Sequence, residues 1–101
     1  MKLIELNLYK IFELCRKYRV KTLSVFGSIL TDRFNDESDV DLLVEFDTTD
    51  HESWDYVGNY FGFQEALEAL FGRKVDLVVE KSLSNKIFIK NVLRTKQLIY
   101  G

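Results

Sequence analysis

The chain has no proline, one cysteine, one histidine, one tryptophan and no basic excess. The missing proline, with 47% apolar and 30% charged residues, excludes a linker-like or disordered chain. A lone cysteine cannot close an internal disulfide. Cys15 also sits among apolar residues at helical spacing, which makes it a buried, inert thiol. The formal net charge of −2 and pI near 5.4 argue against a protein that coats a long nucleic-acid backbone. No apolar run reaches the 18 residues of a membrane span, and no signal peptide is visible, so a cytoplasmic location is expected. His51 stands alone in an acidic, polar stretch, with no second ligand at helical spacing, and is expected to be a loop residue.

What is present is enough apolar and aromatic material for a core. At 101 residues, a single domain over 1–101 is expected. Apolar residues at steps of three and four predict an amphipathic helix over residues 4–19, ending in the basic cluster Arg16, Lys17 and Arg19 as a solvated helix end. Thr22 to Phe26 is a β-prone run that ends at Gly27, and Ser28 to Arg33 can form one or two helical turns. Val40 to Phe46 is a strand. A second helical stripe runs from Val57 to Phe71 with Gly72 as its cap, although Gly58 and Gly62 weaken it. Lys74 to Glu80 is another strand, followed by a helix after Ser84 or Asn85 and an edge strand from Gln97 to Tyr100. This order predicts an α/β (α+β) fold, a small mixed β-sheet flanked by helices.

Two of these strands carry acids where a buried strand would have none. In Ser38-Asp39-Val40-Asp41-Leu42-Leu43-Val44, alternation sends Asp39 and Asp41 to one face and Val40, Leu42 and Val44 to the other. Two such carboxylates repel each other unless a cation lies between them, and hard oxygen donors suit Mg²⁺ or Mn²⁺. In Lys74-Val75-Asp76-Leu77-Val78-Val79, Asp76 is again flanked by aliphatics. If the two strands pair, Asp76 completes a site able to hold two ions, the arrangement used in phosphoryl and nucleotidyl transfer.

The run Val25-Phe26-Gly27-Ser28-Ile29 supplies a second element, in which a strand enters Gly-Ser and then a helical turn. Gly27 lets a phosphate approach the backbone and Ser28 offers a hydroxyl. Gly-Ser alone is only a turn signal. Followed at a fixed ten-residue gap by Asp39-x-Asp41, it is expected by chance in about one chain in a thousand at ordinary residue usage.

These residues resemble a known family. "FGSILTDRFNDESDVDLLVEF" followed by "GRKVDLVVE" is similar to the polymerase-β-like nucleotidyltransferase superfamily. Chain length and the tail "SLSNKIFIKNVLRTKQLIYG" narrow this to the minimal nucleotidyltransferases, the MNT or MntA-type antitoxins of prokaryotic toxin–antitoxin pairs. The resemblance implies that Gly27 and Ser28 contact the triphosphate of ATP, that Asp39 and Asp41 bind two Mg²⁺ ions, and that Asp76 binds metal and helps activate the acceptor hydroxyl. It places Arg33 near a position that is often basic in the family, where it would neutralise phosphate charge. Ile29, Leu30, Thr31 and Asp32 depart from the small and basic residues usual after Gly-Ser. The implied partner is a HEPN-domain toxin, and the implied reaction transfers AMP to a tyrosine of that toxin. Two alternatives stay open: neutralisation by binding alone, and transfer to a small molecule such as an aminoglycoside. For a docked partner, the aromatics Trp54, Tyr56, Tyr60, Phe61 and Phe63 are candidates, most of them expected in the core.

Overall fold

The structure is a computed structural model and describes residues 2–49, 55–82 and 85–101; His51, Trp54 and Ser84 lie outside the described residues. Helices α1 (Lys2–Leu6) and α2 (Leu8–Lys17) are followed by strand β1 (Val20–Phe26) and a single 3₁₀ turn (Gly27–Leu30). Then come β2 (Val40–Phe46), α3 (Tyr56–Phe71), β3 (Val75–Val79), a second 3₁₀ turn (Glu80–Ser82), α4 (Lys86–Thr95) and β4 (Gln97–Tyr100). The sheet order is β3-β2-β1-β4, with β2 and β3 parallel and the other pairs antiparallel. The parallel pair is joined through α3, as a crossover requires. The expected mixed α+β sheet is thus the one observed, with β4 at its edge.

One sheet face carries the main core. Val40, Leu42 and Val44 of β2 and Val75 and Leu77 of β3 pack with Ile11 and Cys15 of α2 and Phe63 and Leu67 of α3. The opposite face has a smaller cluster, in which Val92 of α4 covers Phe26, Leu43 and Val78, and Phe88 meets the Phe26 ring edge-on. Truncating a fully buried core residue such as Phe63 to alanine is worth about 3–5 kcal/mol.

The outer edge of β3 is closed by α3. The Val75 N–H donates to Glu68 Oε2 (3.0 Å), Gln64 Nε2 donates to the Val75 carbonyl (3.1 Å), and the Tyr60 hydroxyl donates to the Leu77 carbonyl. Side chains thereby satisfy an edge that would otherwise be open to another strand.

The leading helix differs from expectation, because it breaks at Asn7. The Asn7 side chain donates to the Leu3 carbonyl (2.8 Å) and α2 starts afresh after it. The doubtful α3 does form. Asp55 caps it by accepting from the Gly58 N–H, and the Tyr18 ring lies so close to Gly62 that an added Cβ would stand 2.6 Å from Tyr18 Cε1. Gly72, at φ 65°, ends it in the left-handed conformation.

Candidate active site

Strand β1 leaves the sheet at Gly27, whose φ of 78° favours glycine. The 3₁₀ turn that follows is fixed at its end by Thr31, whose N–H (2.9 Å) and Oγ1 (2.8 Å) both donate to the Ser28 carbonyl. Phe26 pairs with Asp41 across the sheet, so the turn lies directly against β2. An added Cβ on Gly27 would stand 2.3 Å from Asp41 Oδ2. Gly27 is therefore required twice, for the turn and for the room taken by the Asp41 carboxylate.

Asp41 pairs in register with Asp76 on the parallel neighbour β3, which places both side chains on one face. Asp39 precedes Asp41 by two residues at the mouth of the same strand. Asp41 is half-buried, whereas Asp39 and Asp76 are exposed. Burial pushes the Asp41 carboxyl above the usual carboxylate range, and the negative charges of Asp76 and then Asp39 push it the same way. The three carboxylates expected from the sequence are thus brought together at one end of the sheet. Among the described residues, no three or more acidic, histidine or cysteine side chains are drawn together as a ready-made metal cage. The donor set still fits a hard divalent cation, since exposed carboxylates that repel one another can turn inward to share a positive charge.

The loop that presents Asp39 is braced by a residue that sequence reasoning did not single out. Arg73, just ahead of β3, donates from Nη1 to the carbonyls of Asn35 (2.8 Å) and Ser38 (3.1 Å). Its guanidinium also lies 4.8 Å from the centre of the Phe34 ring. Within the loop, Ser38 Oγ accepts from the Asn35 N–H and Asn35 Oδ1 accepts from the Glu37 N–H. Arg33 is exposed. Its main-chain N–H donates to Thr31 Oγ1 (3.2 Å), and its side chain makes no hydrogen bond or ion pair with the described residues.

The basic cluster at the end of α2 lies elsewhere. Arg16 and Arg19 line a cavity of about 360 Å³ with Asp47 and Tyr100, at the start of β1 rather than at Gly27. Cys15 borders the same cavity with a buried thiol, which desolvation pushes up to about 12. Of the aromatics considered for docking, Phe63 is fully buried in the core and Tyr60 is held by its bond to β3. Tyr56 and Phe61 are exposed (46% and 52%).

The model of the nucleotidyltransferase domain family matches residues 9–99. The chain is 39% identical over 82 residues to the protein adenylyltransferase MntA of Thermococcus cleftensis, covering 81% of this chain and 77% of that protein. Among solved structures, one provisionally described as a minimal nucleotidyltransferase superposes with a TM-score of 0.76 at 27% identity, over 95% of this chain and 92% of the other. A second structure is described as tri-AMPylated Shewanella oneidensis HEPN toxin in complex with MNT antitoxin. It shares the fold at a TM-score of 0.65 and 23% identity, covering 96% of this chain and 71% of that one. The glycine turn is seated against the paired strand carboxylates, and the chain belongs to the nucleotidyltransferase domain family as a nucleotidyltransferase enzyme.

Proposed function

We propose that this single minimal domain, residues 1–101, is the cytoplasmic antitoxin of a HEPN/MNT-type pair and transfers AMP from ATP to a tyrosine of its HEPN-domain toxin. The observation that carries this reading is the in-register pair Asp41–Asp76, with Gly27 packed against the Asp41 carboxylate. Identity to a named protein adenylyltransferase supports the choice of a protein as acceptor. The described HEPN–MNT complex supports the class of partner. No helix among the described residues is long and apolar enough to cross a membrane.

In this reading Asp39 and Asp41 hold Mg²⁺, and Asp76 joins them. Two ions held there supply the charge that activates the attacking oxygen and stabilises the leaving one. The backbone of Gly27 and Ser28, with the Ser28 hydroxyl, receives the triphosphate, and Arg33 adds positive charge from the adjoining loop. The tyrosine Oη attacks the α-phosphorus of ATP, the bond from that phosphorus to the bridging oxygen breaks, and pyrophosphate departs. Asp76 would help activate the acceptor hydroxyl by taking the phenolic proton.

The test is to incubate the protein with Mg²⁺, ATP and the HEPN-domain protein encoded beside it, and to weigh that protein intact. Mass steps of one AMP that disappear in the Asp39→Asn/Asp41→Asn variant are expected. Neutralisation of the toxin with no mass change, equal in the double variant, would refute the enzymatic reading in favour of binding alone. Parallel reactions with UTP, CTP and GTP establish the base preference.

A further inference from the structure

Charge is divided unevenly along this chain. Residues 81–101 hold Lys81, Lys86, Lys90, Arg94 and Lys96 and no acid, a formal +5. Residues 1–80 hold the other nine cations and all sixteen acids, a formal −7. Much of the basic segment is α4, which spends one stripe on the sheet through Phe88 and Val92. At 3.6 residues per turn, Lys86, Lys90 and Arg94 share the stripe facing away from Val92. Ile87 and Leu93 lie on its two flanks, 76% and 45% exposed. None of the three cations has an ion-pair partner among the described residues.

The position of α4 matters as much as its charge. Phe26 pairs with Asp41, while Leu43 and Val78 follow Asp41 and Asp76 by two residues, so α4 covers the sheet face that carries the carboxylates. Its end reaches the catalytic turn, because Thr95, Gln97 and Gly27 border one open cavity of about 510 Å³.

We propose that the outward stripe of α4 is the docking surface for the acceptor protein, and that the acceptor meets it with an acidic stripe bordered by apolar side chains. The proposal rests on the reading that the acceptor is a protein. Complementary charge of this kind sets association rate and partner choice. A membrane surface fits poorly, because a membrane helix centres its apolar stripe on the lipid, whereas here that stripe packs on the sheet through Val92 and cations occupy the centre of the outer face. A nucleic-acid backbone would have to pass the exposed Asp39 and Asp76 on the same face. Another exposed apolar group, Tyr56, Val57 and Phe61, carries no cation and sits where Tyr56 meets Phe46, the last residue of β2. That is five residues along β2 from Asp41, about 17 Å.

The experiment uses the full chain and the HEPN-domain protein encoded beside it, with association followed by biolayer interferometry at 50, 150 and 500 mM NaCl. Mg²⁺ and a fluorescent ATP analogue report the integrity of the nucleotide site. The K86E/K90E/R94E variant is expected to bind the partner at least tenfold more weakly, mainly through slower association, with nucleotide binding unchanged. Wild-type binding falls with salt, and acid-to-lysine reversals on the partner restore binding to the variant. If the triple variant loses nucleotide binding or folding, Lys90→Glu alone should lower the association rate. Unchanged partner affinity in a folded variant overturns the proposal. So does a wild-type chain that binds anionic vesicles or RNA but not the protein, or binding abolished by Tyr56→Ala/Phe61→Ala and indifferent to the cations. Charge-dependent docking without AMP transfer would refute the enzymatic reading and leave this surface standing; transfer that ignores the stripe would do the reverse.

Discussion

Replacing Gly27 by alanine separates two demands that the structure makes of one residue. The first is conformational, and Gly72 provides the control. Both glycines have left-handed φ (78° and 65°), but an added Cβ meets nothing within 4 Å at Gly72 and stands 2.3 Å from Asp41 Oδ2 at Gly27. Left-handed backbone costs a non-glycine residue about 1–2 kcal/mol, partly offset by the stiffer unfolded chain that alanine brings. Gly72→Ala should therefore lose about 1 kcal/mol, or about 4–8 °C in Tm for a domain of this size. Gly27→Ala carries the same strain and must also open its contact with Asp41 by about 1 Å. Forcing that side chain off its rotamer adds about 0.5–1.5 kcal/mol, for a total of about 1.5–2.5 kcal/mol. The functional difference is larger, because a displacement of about 1 Å at a reacting group can cost about 100-fold in rate. Thermal melts and AMP transfer measured on the two variants side by side decide the matter. A Gly27→Ala protein that melts within two or so degrees of Gly72→Ala and keeps its transfer rate would refute the claim that the turn is built around the Asp41 carboxylate.

Arg73→Ala removes both hydrogen bonds to the Asn35 and Ser38 carbonyls, and urea denaturation should register a loss of about 1–3 kcal/mol, with AMP transfer reduced through Asp39. An unchanged urea midpoint would mean that the loop is held by its own turns. Asn85→Ala deletes the cap that accepts from the Ile87 and Phe88 N–H groups; it should cost about 1 kcal/mol and speed hydrogen exchange in α4 ahead of the core. With its pKa pushed up to about 12, Cys15 stays a neutral thiol at pH 8 in the folded protein. Iodoacetamide should modify it slowly there and rapidly in urea, and equal rates would contradict its burial.

The parts of this molecule legible in its sequence are those governed by short-range pattern. Alternation within residues 38–44 assigned Asp41 and Val40 to opposite faces, and the aliphatic neighbours of Asp76 marked β3. The features missed are those set by contacts distant in sequence or by backbone torsions. Hydrophobic spacing ran through Asn7 without a sign of the break, because the competing bond is made by a polar side chain to a backbone carbonyl. Strand β1 starts at Val20, earlier than its β-prone run, after Arg19 takes a φ of 60° that no residue preference announces. Gly58 and Gly62 argued against a helix on propensity, yet one sits in the Asp55 cap and the other beneath the Tyr18 ring. The arginine that braces the loop between the motifs is Arg73, 35 to 38 positions away from the carbonyls it binds. No local spacing encodes that pairing.

The carboxylate face also explains why α4 has its length and place. Along β2 that face reads Asp41 then Leu43, and along β3 it reads Asp76 then Val78, so it turns from charged to apolar in one step on both strands. The apolar half must be covered, and in the proposed function the charged half must stay open to a cation and a triphosphate. Val92 and Phe88 cover the first, and the helix stops at Thr95 beside Gly27. Covering Asp41 as well would bury a carboxyl already pushed up by desolvation and by its two neighbours, and would favour its neutral form. The end of α4 is therefore a boundary of the site as much as of the small core. That boundary is why a helix contributing modestly to the core can bring a basic docking surface to the edge of the chemistry.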